Sequence, residues 1–145
     1  MSSKIPSLRD ERTFAFGEIW SIKDKLVSFP ATDTEIVKDT FKERNMHVSR
    51  PVIIAQNCES NNDPNDEIIQ VIPLTSSTTN KRKHDVLLDP AVDGVMKHSL
   101  ALCNLLQPVL KIDLYDCINE IGEDSKDNIL AILVTRLGMD LEEDD

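Results

Sequence analysis

The chain has 145 residues, of which 40% are hydrophobic and 4% aromatic, and its formal net charge is −10 at pH 7. This length suits a single domain with a buried core, and no apolar run approaches membrane-spanning length. The acidic balance is unfavourable for nucleic-acid binding, which needs clustered lysine and arginine. The three cysteines are odd in number and lack metal-ligand spacing, which favours a reduced, cytoplasmic protein without a disulfide framework.

The first third of the chain predicts a strand followed by a helical insertion. Residues 1–13 are polar and predict a flexible lead-in. Residues 14–22 predict the first strand, in which Gly17 marks a bulge or a close backbone approach. Residues 23–49 form a long connection, and capping-box spacing near its middle predicts a short helix over residues 33–44.

Two runs rich in valine and isoleucine, residues 51–55 and 68–74, predict consecutive buried strands. The segment between them is rich in Asn and Asp, which predicts a long polar loop. Arg50 lies at the entrance of the first strand, and a hydroxyl cluster that begins at Thr75 follows the second. Each predicted strand therefore has a polar side chain at one end.

The second half of the chain predicts more strands and then helices. Residues 85–88 predict a short strand, and residues 95–106 a longer one that bends near Cys103. Apolar spacing predicts a helix over residues 113–121 that stops at Gly122, and a last helix capped by Ser125 that ends at Gly138. Strands followed by helices favour a small, curved antiparallel sheet or barrel with helices packed on it.

Three segments, taken in order, resemble the signatures of the PemK/MazF-type toxins: Gly17-Glu18-Ile19-Trp20; Arg50-Pro51-Val52-Ile53-Ile54 with Gln56-Asn57; and Ile72-Pro73-Leu74-Thr75-Ser76. A weaker fourth match consists of the segment from Gly94 to Ser99 together with Gln107, farther along the chain. The resemblance implies a β-rich α+β fold, an SH3-like small antiparallel barrel with appended helices. It implies one such domain over residues 14–138, with the insertion at 23–49 and an acidic tail at 139–145.

The resemblance implies the toxin of a type II toxin–antitoxin system. Such toxins are metal-independent, sequence-selective endoribonucleases that need no cofactor and cleave single-stranded RNA by attack of a 2′-hydroxyl on the adjacent phosphate. A cognate antitoxin holds the toxin silent, and the toxin is usually a homodimer. The family's catalytic pair matches Arg50 and Thr75 here, with Ser76 beside it. The sequence departs from the family at His98, where the family often has Asp, and in the longer gap between the first two motifs.

The chemistry of these residues suits that reaction. The planar guanidinium of Arg50 can hold two phosphate oxygens, stabilise the extra negative charge and supply the leaving-group proton, and the Thr75 hydroxyl can orient the phosphate. Arginine is a poor general base because its pKa lies above ~12, so the base is not obvious. The plainer alternatives are a solvated arginine at a strand start, paired with nearby acids, and a hydroxyl-rich turn.

The compact basic run Lys81-Arg82-Lys83, with His84 beside it, follows the hydroxyl cluster. It can bind an RNA backbone locally on an acidic molecule, and His84 is also a candidate base. The alternative is a charged hairpin tip. Trp20 could stack on a base but better suits the core.

Two other functions remain open from the sequence. One is an interaction protein of the same fold that has lost catalysis, which the net charge and His98 allow. The other is a gyrase-directed poison, since such toxins share this barrel. The second is less favoured because the C-terminal segment lacks the aromatic-glycine-apolar pattern of those poisons. Fold alone does not separate these functions.

Overall fold

A computed structural model describes residues 12–29 and 48–139. These residues form an antiparallel sheet and one α-helix, α1 (Glu123–Arg136). The seven strands of the sheet are β1 (Glu18–Lys23), β2 (Ser49–Ile54), β3 (Ile68–Thr75), β4 (Asp85–Leu88), β5 (Ser99–Leu102), β6 (Gln107–Leu110) and β7 (Leu114–Glu120). The predicted helix over residues 33–44 lies outside the described residues.

The strands follow the order β4-β5-β3-β2-β1-β7, and β6 also pairs with β3. β6 pairs with the beginning of β3, and β5 pairs with its end. The chain between β5 and β6 makes a short 3-10 turn, Cys103–Leu105, so that the two strands follow β3 one after the other. The predicted bend near Cys103 is thereby confirmed, as is the strand over residues 85–88. The strand predicted over residues 95–106 is too long, because β5 covers only Ser99–Leu102 and the chain then enters the 3-10 turn.

The central strands β2 and β3 are buried on both faces of the sheet, which explains their unbroken apolar runs. Alternate residues of these two strands enter two separate cores. On β2, Val52 and Ile54 pack with Trp20 in one core, while Ile53 packs with Ile129 of α1 in the other. Trp20 is 6% exposed, so its predicted place in the core is confirmed. The predicted small, curved antiparallel sheet with helical cover is therefore the observed fold.

The helix predicted over residues 113–121 is wrong. This segment forms β7, which pairs antiparallel with β1. Its apolar spacing fits a helical face, but the open edge of β1 offers a full set of backbone hydrogen bonds that a local pattern does not reveal. Gly122 is consequently the N-cap of α1 and not a helix stop, and Ser125 lies inside the first turn instead of capping it.

The first strand begins four residues later than predicted, at Glu18, because the chain turns at Phe16 and Gly17. Gly17 has φ +93°, a left-handed value that favours glycine, and its N–H donates to Ile54 O at 3.0 Å. Gly138, with φ +90°, follows the end of α1 as predicted.

The polar loop between β2 and β3 is held by two buried side chains. Asn61 Nδ2 donates to Gln56 O at 2.7 Å and to Phe14 O at 3.2 Å. Lys111, which is 1% exposed, donates from Nζ to the carbonyl oxygens of Ser60 and Asp63. These bonds tie the loop to the segment before β1 and to the turn after β6, so the loop forms a fixed part of the structure.

We expect Cys58, in this loop, to be alkylated before the other two cysteines. The Ser60 hydroxyl, 2.8 Å from Cys58 Sγ, lowers the pKa of that exposed thiol. Burial raises the pKa of Cys117, and raises that of Cys103 to about 12. Because the thiolate is the reactive form, iodoacetamide at pH 7 should modify Cys58 first, as followed by mass spectrometry.

Ser60→Ala is the control for this order, since it removes the donor and should slow the alkylation of Cys58 without affecting Cys117. If Cys117 reacts first in the unaltered protein, the proposed effect of Ser60 on the thiol is wrong.

Candidate functional site

Arg50 lies at the beginning of β2 and is largely buried, with 10% of its side chain exposed. Its Nε–H donates to Asp24 Oδ1 at 2.6 Å, and Nη1 donates to Leu74 O at 2.7 Å. The ring of Phe29 faces the guanidinium, with its centroid 4.8 Å from Cζ. The guanidinium is thus held at two nitrogens and against one face.

Asp24 reaches Arg50 because of the register of β1 and β2. Ile22 pairs with Arg50, so the 3-10 turn that follows β1, Asp24–Leu26, begins beside the start of β2. The N–H of Asp24 donates to Val48 O at 3.3 Å, which fixes the backbone there. The Asp24 side chain is fully buried, and its ion pair with Arg50 satisfies two charges that would be costly to bury alone.

Thr75 ends β3 and is 8% exposed. Its Oγ1 accepts a hydrogen bond from the N–H of Ser77 at 3.2 Å. Val52 of β2 pairs with Pro73 of β3, and the same register continued by two residues places Arg50 opposite Thr75. The bond from Arg50 to the Leu74 carbonyl agrees with this placement. The structure therefore brings the two predicted catalytic residues to neighbouring positions, although their roles remain predictions.

This arrangement leaves hydrogen-bond donors for a ligand. A guanidinium has five N–H groups, of which Asp24 and Leu74 take two. Within residues 12–29 and 48–139, no acceptor binds the other three. The Thr75 hydroxyl uses its oxygen as an acceptor and keeps its proton to donate. The site can therefore offer several donors to an anionic group such as a phosphate.

Gln107 supports the same site from β6. Its Oε1 accepts the N–H of Ser28 at 2.9 Å, and its Nε2 donates to Ser28 O at 3.1 Å. Ser28 precedes Phe29, so these two bonds fix the backbone that carries the ring against Arg50. Asp24 and Phe29 were not predicted from the sequence. The only signal was the general alternative of a solvated Arg50 paired with nearby acids. The structure confirms the pairing, but the arginine side chain is largely buried.

Ser76 and the basic run lie on the connection from β3 to β4. Ser76, Lys81, Arg82 and Lys83 are exposed. The N–H of Arg82 donates to Asp85 Oδ2 at 2.9 Å, and burial raises the pKa of that carboxyl. Among the described residues, no hydrogen bond or ion pair joins the basic run to Arg50. Its part in binding RNA stays a prediction.

The histidines do not contact Arg50 or Thr75 in the described part of the chain. His84 is half-buried at the end of the basic run. His98 is exposed, with Nε2 3.9 Å from Asp89 Oδ1. His47 lies outside the described residues. A role for His84 as the base therefore has no structural support here, and it remains a prediction.

Within the described residues, no group of three or more His, Cys, Asp or Glu side chains is placed to hold a metal ion. No helix there is long and apolar enough to cross a membrane.

Comparison with known proteins agrees with the fold and the motifs. Residues 30–136 match the model of the PemK-like, MazF-like toxins of type II toxin–antitoxin systems. The chain belongs to this family. The match includes both strands that carry Arg50 and Thr75, but it begins after Asp24 and Phe29. No curated protein sequence matches significantly.

Solved structures of PemK/MazF-like proteins share the fold at low sequence identity. An endoribonuclease in complex with its cognate antitoxin, from a mycobacterial species, is 15% identical, covers 87% of this chain and 94% of its own, and has a TM-score of 0.56. MazE–MazF (Form-II) from Deinococcus radiodurans is 16% identical, covers 90% and 100%, and has a TM-score of 0.59. The toxin MazF-mt6 from Mycobacterium tuberculosis is 23% identical, covers 63% and 89%, and has a TM-score of 0.54. These likenesses confirm the SH3-like barrel expected of a PemK/MazF-like chain.

Proposed function

We propose that this chain is the toxin of a type II toxin–antitoxin system, a metal-independent and sequence-selective endoribonuclease that cleaves single-stranded RNA in the cytoplasm. The observation that carries the proposal is the bond from the Arg50 guanidinium to the carbonyl of Leu74, the residue before Thr75. This bond supports the proposal because it ties the planar cation to the residue that precedes Thr75, in a chain of the PemK/MazF-like family.

The proposed reaction is attack of a ribose 2′-oxygen on the adjacent phosphorus. The bond from O2′ to phosphorus forms as the 2′-hydroxyl gives up its proton, and the bond from phosphorus to O5′ breaks as O5′ takes up a proton. The products are a 2′,3′-cyclic phosphate and a 5′-hydroxyl. Arg50 stabilises the charge that develops on the phosphate oxygens, and Thr75 orients the phosphate through its hydroxyl. Neither residue is a base at neutral pH, so the pair contributes charge stabilisation and positioning.

The other parts of the molecule have proposed roles around this pair. Ser76, exposed beside Thr75, is a second hydroxyl for the phosphate, and the basic run binds the RNA backbone. We further propose a single domain over residues 14–138, with the insertion at 23–49 and the acidic tail at 139–145. A homodimer and a cognate antitoxin complete the system; the mycobacterial endoribonuclease, with the same fold, was solved with its antitoxin.

A second candidate is a catalytically inactive interaction protein of the same family. Two observations favour it: the net charge of −10, and the pairing of Arg50 with a buried carboxylate, which neutralises the cation. An acidic protein attracts RNA poorly over long distances, so this candidate predicts little RNA cleavage.

The two candidate functions predict different results in one RNA-cleavage experiment. The purified protein is incubated with mixed-sequence single-stranded RNA in the presence of EDTA, and the fragment ends are mapped. The proposed nuclease gives fragments with a recurrent sequence at the cut and 2′,3′-cyclic phosphate ends, with or without EDTA. Intact RNA favours the inactive candidate, and cleavage that EDTA abolishes contradicts the metal-independent reaction.

If the basic run binds RNA, its removal should weaken the salt dependence of binding. On single-stranded nucleic acid, each phosphate contact contributes roughly 0.7 to the magnitude of the slope of log affinity against log salt concentration. We expect Lys81→Gln with Lys83→Gln to lower that magnitude by about 1.4, as measured by fluorescence anisotropy with single-stranded RNA. Lys97→Gln, an exposed lysine outside the run, is the control and should leave the slope unchanged. An unchanged slope in the double variant supports a charged hairpin tip.

A further inference from the structure

Asp24 contacts Arg50 directly but is itself fully buried. A carboxylate with no exposed surface cannot touch a nucleotide, so Asp24 can affect cleavage only through the groups that it holds, and the Arg50 guanidinium is one of them. We propose that Asp24 is a positioning residue, which fixes the plane and direction of the Arg50 guanidinium so that its free N–H groups meet the scissile phosphate. This inference rests on the proposed function and extends it to a residue outside the matched range, 30–136.

Three contacts define the position of the guanidinium. The Asp24 carboxylate holds Nε, the Leu74 carbonyl holds Nη1, and the Phe29 ring lies against one face. A planar group held at two nitrogens and one face can neither rotate about its last bond nor tilt. Of these contacts, the one to Asp24 is an ion pair, so it is the strongest constraint. Without it, the long arginine side chain regains alternative rotamers.

Asp24 is itself held firmly enough for this task. Its N–H donates to Val48 O at 3.3 Å, and its carbonyl accepts the N–H of Val27 at 3.1 Å. The two bonds from Gln107 fix Ser28 farther along the same segment. The segment that carries Asp24 is thus fixed by hydrogen bonds, as the precise placement of a reactive group requires.

Because Asp24 is charged, its positioning role predicts an effect on binding and cleavage that a purely structural role does not. The Arg50–Asp24 pair is neutral, so removal of the carboxylate charge makes the site more attractive to a phosphate while it loosens the guanidinium. Binding and cleavage should then change in opposite directions. A purely structural role would lower both together, in proportion to the folded fraction.

The test is Asp24→Asn, which keeps the shape of the side chain. Steady-state cleavage of RNA gives kcat and KM, and fluorescence anisotropy gives the Kd of a mixed-sequence single-stranded DNA, which has no 2′-hydroxyl to react. We expect kcat to fall about 10- to 100-fold, while the DNA Kd stays equal or becomes severalfold lower. A kcat within about threefold of the unaltered protein, or a parallel loss of kcat and DNA binding, overturns the proposal.

Asp93→Asn is the matched control. Asp93 is also a buried carboxylate, at 2% exposure, but it accepts N–H groups of Asp89 and Gly122 instead of contacting Arg50. It should leave kcat per folded molecule unchanged. In an Arg50→Lys background, Asp24→Asn should have little further effect, because the group through which it acts is gone; additive losses contradict the proposal.

If Asp24→Asn fails to fold, the unaltered protein still provides a test. The Arg50 Nε–H, assigned by NMR through its loss in Arg50→Lys, should exchange with water far more slowly than that of exposed Arg82. Equal exchange rates overturn the proposal. Failure of the proposed function is separate, since in that case the unaltered protein does not cleave RNA at all.

Discussion

Replacement of Thr75 by alanine should lower RNA cleavage at least about 100-fold, because the loss of one preorganised donor to a developing oxyanion has effects of about 100- to 1000-fold. The same change should barely alter the free energy of unfolding, by about 1 kcal/mol or less. The hydroxyl accepts only the N–H of Ser77, which is half-buried and so within reach of water. Cleavage of a fluorescent RNA and urea unfolding measure the two quantities.

Thr75→Ser and Thr79→Ala are the controls for this prediction. The serine variant keeps a hydroxyl on Cβ and should retain most of the activity. Thr79 is an exposed member of the same hydroxyl cluster, and its replacement should leave cleavage unchanged. Full activity in Thr75→Ala would remove this hydroxyl from the reaction and leave Ser76 as the remaining candidate.

Replacement of Arg50 should affect both activity and stability, and the two effects should be separable by the choice of variant. Arg50→Ala removes one partner of the buried Arg50–Asp24 ion pair, a kind of change that destabilises proteins by about 3–5 kcal/mol. Arg50→Lys keeps the charge but loses the planar set of donors, so it should unfold less readily than the alanine variant. Its cleavage rate should still fall about 100-fold or more.

Urea unfolding and RNA cleavage, measured on both variants, check this prediction. Arg136→Ala removes an exposed arginine at the end of α1 and is the control for the loss of a positive charge. Arg50→Lys with full activity would show that a point charge is sufficient at this position. Equal stability of Arg50→Ala and the unaltered protein would show that Asp24 does not need its cation.

The closeness of Arg50 and Thr75 could be predicted from the sequence because it depends on a local rule. In two consecutive antiparallel strands, the start of the first lies beside the end of the second. Arg50 precedes the first apolar run and Thr75 follows the next, and the observed pairing of Val52 with Pro73 places them as this rule requires.

Neither the pairing of Arg50 with Asp24 nor the strand formed by residues 114–120 could be predicted, and the reason is the same. Asp24 is one of 26 acidic residues, and only the pairing of Ile22 with Arg50 selects it. Residues 114–120 have apolar spacing that suits a helix, but β1 recruits them as a strand. Both outcomes depend on which strands become neighbours, which no single segment of sequence contains.

The burial of Asp24 against Arg50 has a practical consequence for the preparation of an inactive variant of the proposed nuclease. A variant used for partner capture or co-crystallisation must keep its native surface. Substitution of the arginine risks an unstable variant, since it breaks an ion pair with a fully buried carboxylate. Loss of the small alcohol group at Thr75 leaves this ion pair intact, so Thr75 is the better position for the substitution.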